Sequence, residues 1–331
     1  MGAASPRATR TVRFEWLPLE RLDELQAFVD AHWRAGHVLA RDAELLRWQH
    51  RRRDDPETLA VLVAEEDGRL LAMLGWIEFD ACAGEERGRG GWMTNWLVVP
   101  EARGRGLGLA LVEHAMAGPF DFIGALGANS ATLHVLGAAG FAEVGMHRWV
   151  RVFDPEALRE LLGRAYAVSD SRAPRVASDS AGFVGACRDD AFLEWRYRDH
   201  PRFAYELLWD ETGFAAYRIE QVAGSSAKVM RITDLLGGEG FVRALVEAAE
   251  KERVVLADFY CTSARFGTPL EAVGFVREDR LPEPLPGRFQ PLDFSDRPIV
   301  SNFWAAPRLG VDFAGGDLYV TRADSDLDRP N

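Results

Sequence analysis

The sequence predicts an α/β (α+β) protein built as two tandem domains, and three observations carry that expectation. Apolar runs of strand length interleave with segments of helical spacing along the whole chain. One such run, residues 92–99, stops at Pro100 and passes through a glycine loop into a segment whose Leu107, Leu111, His114 and Ala115 fall on one helical face. Half-way along, the pattern restarts. Leu193, Trp195 and Arg198 echo Leu46, Trp48 and Arg51, each group behind an Arg-Asp pair, Arg188-Asp189 and Arg41-Asp42. A repeat of that length is a duplicated domain rather than a solenoid, and 331 residues suffice for two cores.

Residues 11–17 alternate Val12, Phe14 and Trp16 as a strand does, residues 22–33 have helical spacing, and a second helix covers 42–52. Residues 59–65 and 70–79 are apolar strands joined through Glu66-Asp67-Gly68-Arg69, a hairpin turn. A mobile loop, 80–90, precedes the strand at 92–99. After the glycine loop and its helix come a short strand at 122–125, a helix opening at Asn129, and a single strand at 141–153, so the first domain is expected to span 1–154. Residues 155–166 read as a connecting helix and 168–182, rich in Ser, Asp, Arg and Ala, as a linker. The second domain, 183–331, shows two further apolar strands and a Gly274-Phe275 that parallels Gly140-Phe141. Repeated prolines make 281–298 a loop, 302–304 and 317–321 read as short strands, and the end carries alternating Asp324, Asp326 and Asp328.

A hydrophobic content of 47% with 27% charged residues belongs to a folded soluble chain. No apolar run approaches the ~18 residues of a membrane span, and residues 1–10 form a loose tail without an apolar signal region. A net charge of -12 repels phosphate backbones, which argues against nucleic acid, as the lack of a long apolar run argues against a membrane; the run Arg51-Arg52-Arg53 reads as the solvated end of its helix. Cys82, Cys187 and Cys261 lie far apart, with no Cys-x-x-Cys and no Cys/His cluster, which argues for a reducing cytoplasm and against a metal site.

The glycine loop, Arg103-Gly104-Arg105-Gly106-Leu107-Gly108-Leu109, suits an anion such as phosphate. Glycines let backbone N–H groups approach a ligand, the helix behind points its positive end at the same place, and the two arginines add charge. No Lys-Ser/Thr follows, as a P-loop requires, and Leu109 and Leu111 stand where a dinucleotide fingerprint needs glycine. The segment resembles the coenzyme A loop of the Gcn5-related N-acetyltransferase (GNAT) superfamily, Gln/Arg-x-x-Gly-x-Gly/Ala, at Arg103, Gly106 and Gly108. A second segment agrees with that family: Asn129, Thr132, Val135-Leu136 and Gly140-Phe141 match the spacing of its Asn-x-x-Ala-x-x-Leu-Tyr-x-x-x-Gly-Phe.

The resemblance implies two tandem GNAT-like domains, each a mixed, mostly antiparallel sheet flanked by helices. It implies acetyl-CoA or another acyl-CoA as cosubstrate without a metal, held by the backbone of Leu97, Val98 and Val99, by the loop from Arg103 to Leu109, and by Asn129; an N–H near Val98 would polarise the thioester. The family's base is a Glu or Asp, for which Glu78, Asp80 and Asn95 are the nearest candidates. The phenol that protonates the thiolate in many relatives is matched here by Leu136, and no tyrosine precedes Tyr166. Tyr260 or Tyr319 would then reach across from the second domain, or His134, Ser130 or water would serve. The second copy has Thr233-Asp234 and Glu239 in place of the arginine loop and is expected to bind no coenzyme. Its ending is similar to that of two-domain GNAT proteins of bacterial surface-sugar biosynthesis, which makes Asp324, Asp326 and Asp328 candidates for acceptor binding. The function expected is acyl transfer to a primary amine of a small molecule, a nucleotide-linked amino sugar among the candidates, by a cytoplasmic monomer or homodimer. The alternatives are a protein, amino-acid or aminoglycoside amine as acceptor, and a non-catalytic acyl-CoA sensor or assembly protein.

Overall fold

The computed structural model describes residues 11–162, 183–281, 285–290, 292–293, 299–313 and 318–328. The first half carries β1 (Arg13–Pro18), α1 (Leu22–His32), α2 (Val38–Arg41), α3 (Ala43–Gln49), β2 (Thr58–Glu66), β3 (Arg69–Ala83), β4 (Glu86–Val98), α4 (Leu107–Met116), β5 (Phe122–Leu126), α5 (Ser130–Ala138), β6 (Ala142–Gly145), β7 (His147–Val152) and α6 (Pro155–Leu162). The second carries β8 (Val184–Ala186), α7 (Asp190–Leu193), β9 (Glu206–Asp210), β10 (Gly213–Gln221), β11 (Lys228–Gly237), α8 (Glu239–Glu252), β12 (Leu256–Cys261), α9 (Gly267–Ala272), β13 (Val276–Arg277), β14 (Arg288–Phe289), β15 (Leu292–Asp293) and β16 (Val300–Ala305).

Two mixed, mostly antiparallel sheets with flanking helices result. The first has the order β1-β2-β3-β4-β5-β16-β6, with β8 added to β3, and its one parallel pair is β4 with β5. The second has the order β13-β7-β12-β11-β10-β9, and its one parallel pair is β11 with β12. The same plan is therefore built twice, but each sheet borrows a strand. β7 leaves the first half and lies between β12 and β13, while β16, near the chain's end, lies between β5 and β6. The strand expected over 141–153 thus breaks at Met146, and a cut at Asp154 does not separate the sheets. An edge left beside β5 would expose a row of unpaired backbone groups, and the exchange covers both such edges.

The repeat noticed in the sequence has a physical origin. Asp42 accepts from the Leu45 N–H at 3.0 Å and starts α3; Asp189 accepts from the Phe192 N–H at 2.9 Å and starts α7. Trp48 and Trp195 stack at 5.1 Å, and each indole N–H donates to the other's carbonyl, at 3.1 and 3.3 Å. The two echoing motifs meet. A shared apolar cluster joins the halves, with Phe79, Trp92 and Phe122 from one side and Phe192, Trp195 and Val320 from the other.

Other expectations change. Residues 80–90 are not a loop, because β3 and β4 stay paired out to Ala83 and Glu86, and β8 pairs with Ala81–Ala83 on the far side. The helix expected to 52 ends at Gln49, since His50 turns its carbonyl to the Ala60 N–H and Arg51 bridges to Leu59. The strand expected over 317–321 is reduced, in the described residues, to single bridges from Leu318 and Thr321. The loop expected over 281–298 holds the short pair β14–β15. The loose tail, the whole of the linker and the end of the connecting helix beyond residue 162 lie outside the described residues. Cys82 and Cys187 are disulfide-bonded, 105 residues apart with Cα atoms 5.3 Å from each other, which corrects the expectation that all three cysteines stay reduced. The pairing of β3 with β8 brings them together. Cys261 is buried, and burial pushes its thiol up to about 12, so it is unreactive. No helix among the described residues is long and apolar enough to cross a membrane.

Two predictions rest on this architecture. A fragment ending at Asp154 lacks β16 and carries β7 without its partners; it should show no cooperative thermal unfolding, and a sharp transition would contradict the exchange. His200 packs 4.3 Å from Trp48, and its Nδ1 accepts the N–H groups of Arg202 and Phe203, so the neutral ring is the one that fits. Burial, followed by the charge of Arg196, holds its pKa at about 3. The unfolded chain, titrating near 6.5, binds a proton that the folded one refuses between those values, so stability falls as pH drops below about 6.5. At pH 5 the cost is about 2 kcal/mol. His200→Asn, which keeps an acceptor, should flatten that part of a denaturation series measured from pH 7.5 to 5.

Candidate active site

The site begins where β4 parts from β5. They pair only from Gly90–Met93 to Phe122–Ala125. Beyond that point Asn95, at φ +47°, and Trp96 together stand opposite Leu74 on β3, a bulge that turns the rest of β4 away. Gly127, at φ +68°, turns the chain out of β5 to Asn129, whose side chain accepts from the Thr132 N–H at 3.0 Å and starts α5. The Val99 N–H is bonded to the Leu71 carbonyl on β3 at 2.9 Å. Backbone groups alternate along a strand, so Val98 presents its N–H and C=O to the notch while Leu97 and Val99 face β3.

The glycine loop lies at the end of this edge. Gly104 and Gly106 both sit at φ +78°, with open space where a Cβ would be, and no side chain caps α4. The N–H groups of its first turn are thereby left for a ligand. Arg103 reaches back from the loop to the Val98 carbonyl at 3.3 Å. A strand notch that leads to an uncapped helix behind two left-handed glycines is the geometry of a coenzyme A site, and residues 25–147 match the acetyltransferase (GNAT) family.

The chain carries a GNAT acetyltransferase domain. The family matched over residues 25–147 is one of acetyltransferases. Among solved structures, a GCN5-related N-acetyltransferase from Anabaena variabilis superposes with a TM-score of 0.53 at 13% identity, covering 88% of this chain and 72% of that one. Another from Kribbella flavida gives 0.52 at 15%, covering 91% and 72%. At these identities the likeness is one of fold, and it extends over both sheets. No curated protein matches the sequence.

Around the GNAT notch lies a cleft of about 930 Å³. Thr94, Asn95, Trp96 and residues 125–129 form one wall, and Arg218, Arg231, Tyr260, Phe289, Arg322 and Asp328, all from the second half, face them. Of the tyrosine candidates, Tyr260 lines this cleft. Tyr319 does not; it is wholly buried in the corresponding notch of the second sheet, where β11 leaves β12 after Ile232. There its hydroxyl lies 2.7 Å from Asp234 and accepts the Leu235 N–H, while Arg188 bridges Asp234 and Asp324 at 2.7 and 2.6 Å. The chain's own side chains fill that notch. Asp234 is therefore the centre of a buried network rather than a surface charge at a helix start.

The remaining candidates separate clearly. Glu78 is buried under Arg52 and Arg89, at 3.3 and 2.7 Å, and also accepts the Arg53 N–H. Asp80 is exposed and paired with Arg53 at 2.7 Å. Neither carboxylate lines the cleft, because β3 directs them to its arginine-bearing face. Ser130 and His134 are exposed on α5 and also lie outside it, and Leu136 is buried in the core. Asn95 is at the cleft, with its amide 3.3 Å from His50 Nε2. His50 Nδ1 lies 2.9 Å from the Trp76 carbonyl and so carries the ring proton, leaving Nε2 as acceptor. His50 escaped the sequence analysis because it adjoins the arginine run that reads as solvated. Arg105 is paired with Glu66 at 2.6 Å rather than turned to a ligand, and Gly108 is needed for packing, since a Cβ there would press on the Trp96 indole. Asp324 is locked to Arg188 and unavailable to an acceptor; Asp326 and Asp328 line the cleft, the latter bonded to Arg218 and Tyr205 at 2.6 and 2.7 Å. Among the described residues no group of three His, Cys, Asp or Glu could hold a metal.

The loop can be tested by backbone conformation alone. Gly106→Val places a β-branched residue in the left-handed region, a strain of about 1–2 kcal/mol, and should weaken CoA binding about tenfold by calorimetry. Gly106→Asn, which tolerates that region, should remain near the parent. Equal affinities in all three would remove the loop from the site.

Proposed function

We propose that the protein transfers an acyl group, acetyl in the first instance, from acyl-CoA to the primary amine of a small molecule bound between its two halves. The observation that carries this reading is the composite cleft: one wall is the free edge of β4 and the other comes entirely from the second half. Its volume lies within the usual range for small-ligand sites. The outward N–H groups at the start of α4 would hold the pyrophosphate, and the N–H of Val98, turned away from β3, would bond the pantetheine arm or polarise the thioester carbonyl. Attack by the neutral amine forms the amide bond and breaks the carbon–sulfur bond, so a proton must leave the ammonium and one must reach the thiolate. Tyr260 is the phenol positioned on the cleft for the second transfer, supplied by the half that lacks the coenzyme loop. Asp326, which lines the cleft, gives the acceptor side a carboxylate, which supports an amine that arrives as a cation, an amino sugar among the candidates; Asp328 is already engaged by Arg218 and Tyr205.

Release of free thiol from acetyl-CoA across a panel of small amines tests the reading. Transfer should be seen with at least one amine, and Tyr260→Phe should lower kcat about 100-fold with little change in the Michaelis constant for acetyl-CoA, the signature of a lost proton transfer. CoA binding without thiol release for any amine would instead identify a sensor. Full kcat in Tyr260→Phe would leave water as the proton source.

A further inference from the structure

Arg218, Arg231, Arg288 and Arg322 line the second-half side of the cleft, and Arg148 shares a carboxylate with Arg231 behind it. Arg218 is paired with Asp328 at 2.6 Å. Arg231 takes one oxygen of Asp258 at 2.7 Å, and Arg148 takes the other at 2.8 Å together with Glu278 at 2.7 Å. Arg322 is different. It is only 8% exposed, yet it makes no ion pair among the described residues. Among the described residues its Nε has no hydrogen-bond partner, and its one hydrogen bond runs from a terminal nitrogen to the Gly287 carbonyl at 3.3 Å. The guanidinium lies over the Tyr260 ring at 4.2 Å and lines the cleft.

A buried guanidinium without a counter-charge is costly, and Asp258, the carboxylate whose charge acts on it, has both oxygens engaged by other arginines. Burial, with the repulsion of Arg231 next, also lowers the pKa of Arg322, which marks a place short of negative charge. Stacking on Tyr260 fixes the plane of the fork without satisfying its donors, a geometry suited to two parallel bonds with a carboxylate or phosphate. We propose that the amine acceptor carries an anionic group, a carboxylate or phosphate, that is seated on Arg322. The inference rests on the cleft being the acceptor site. It makes the acceptor bipolar, its amine directed to the thioester and its anion to the second half.

Matched pairs separate this proposal from the activity itself: amino acids against their α-carboxamides, and glucosamine 6-phosphate against glucosamine. The parent enzyme should favour the anionic member of one pair by about tenfold or more in kcat/KM, and the pair that shows the preference tells carboxylate from phosphate. Arg322→Gln should erase the preference, so that the anionic and neutral members of the pair are used with nearly equal kcat/KM whatever their common rate becomes. Arg322→Lys, which keeps the charge without the fork, should retain part of it and decides the matter should the Gln variant fail to fold. No preference in the parent, or one that survives in Arg322→Gln, overturns the proposal. Calorimetric titration of the CoA-loaded protein with the anionic members reads the seat without turnover. Binding lost in Arg322→Gln supports the seat even where no acetyl transfer occurs, an outcome that would overturn only the proposed activity; equal binding in parent and variant, or none in either, overturns the seat.

Discussion

The structure depends on a reciprocal debt of backbone hydrogen bonds between its halves. Each sheet has a gap beside its parallel pair, between β5 and β6 in one and between β12 and β13 in the other, and each gap is closed by a strand from the other half's run of chain. β16 bonds to β5 and β6, while β7 bonds to β12 and β13. Unpaired backbone groups in such gaps would cost more than any surface contact could return, so the halves cannot drift apart without opening both sheets. The Trp48–Trp195 pair, with its two reciprocal N–H to carbonyl bonds, repeats the same two-fold logic in side chains.

That fixed relation turns a duplicated fold into one site. Both parallel pairs diverge into a notch, as a bulge opens the first and β11 outruns β12 in the second. In the first the notch stays open toward a glycine loop. In the second, Tyr319, Arg188 and Asp234 fill it with bonded side chains, and burial with Asp234 holds the Tyr319 hydroxyl well above the usual phenol range, so it stays protonated. A filled notch cannot admit a ligand, but it stiffens the sheet that presents Tyr260, Arg231 and Arg218 to its neighbour. The copy with the filled notch thus forms one wall of the cleft beside the open notch.

Charge follows the same division. A chain of net charge -12 places its arginines against buried carboxylates, as at Glu78, Asp234 and Asp258, where each partner satisfies the other. Such pairs look catalytic in the sequence because an acid at the end of a strand is what a base requires. They differ from a base in being held by buried guanidinium groups, joined at Asp234 by the Tyr197 and Tyr319 hydroxyls. Arg322 is the converse case, a buried cation with its neighbours' carboxylates already taken.

The sequence by itself determined the elements whose cause is local. The glycine loop is legible because only glycine adopts φ +78° freely, the β2–β3 hairpin because its turn residues are specific, and the repeat because Asp42 and Asp189 each cap a helix a few residues away. Tertiary structure decided everything that depends on which distant strand lies alongside. The exchange of β7 and β16, the Cys82–Cys187 bond, the burial of Glu78 and Tyr319, and the placing of Tyr260 and Arg322 opposite Asn95 each join residues dozens to hundreds of positions apart. Helix caps and turns are settled by bonds within a few residues, whereas a strand's neighbour is chosen by the unpaired edge that needs it, and that edge exists only once the sheet has formed.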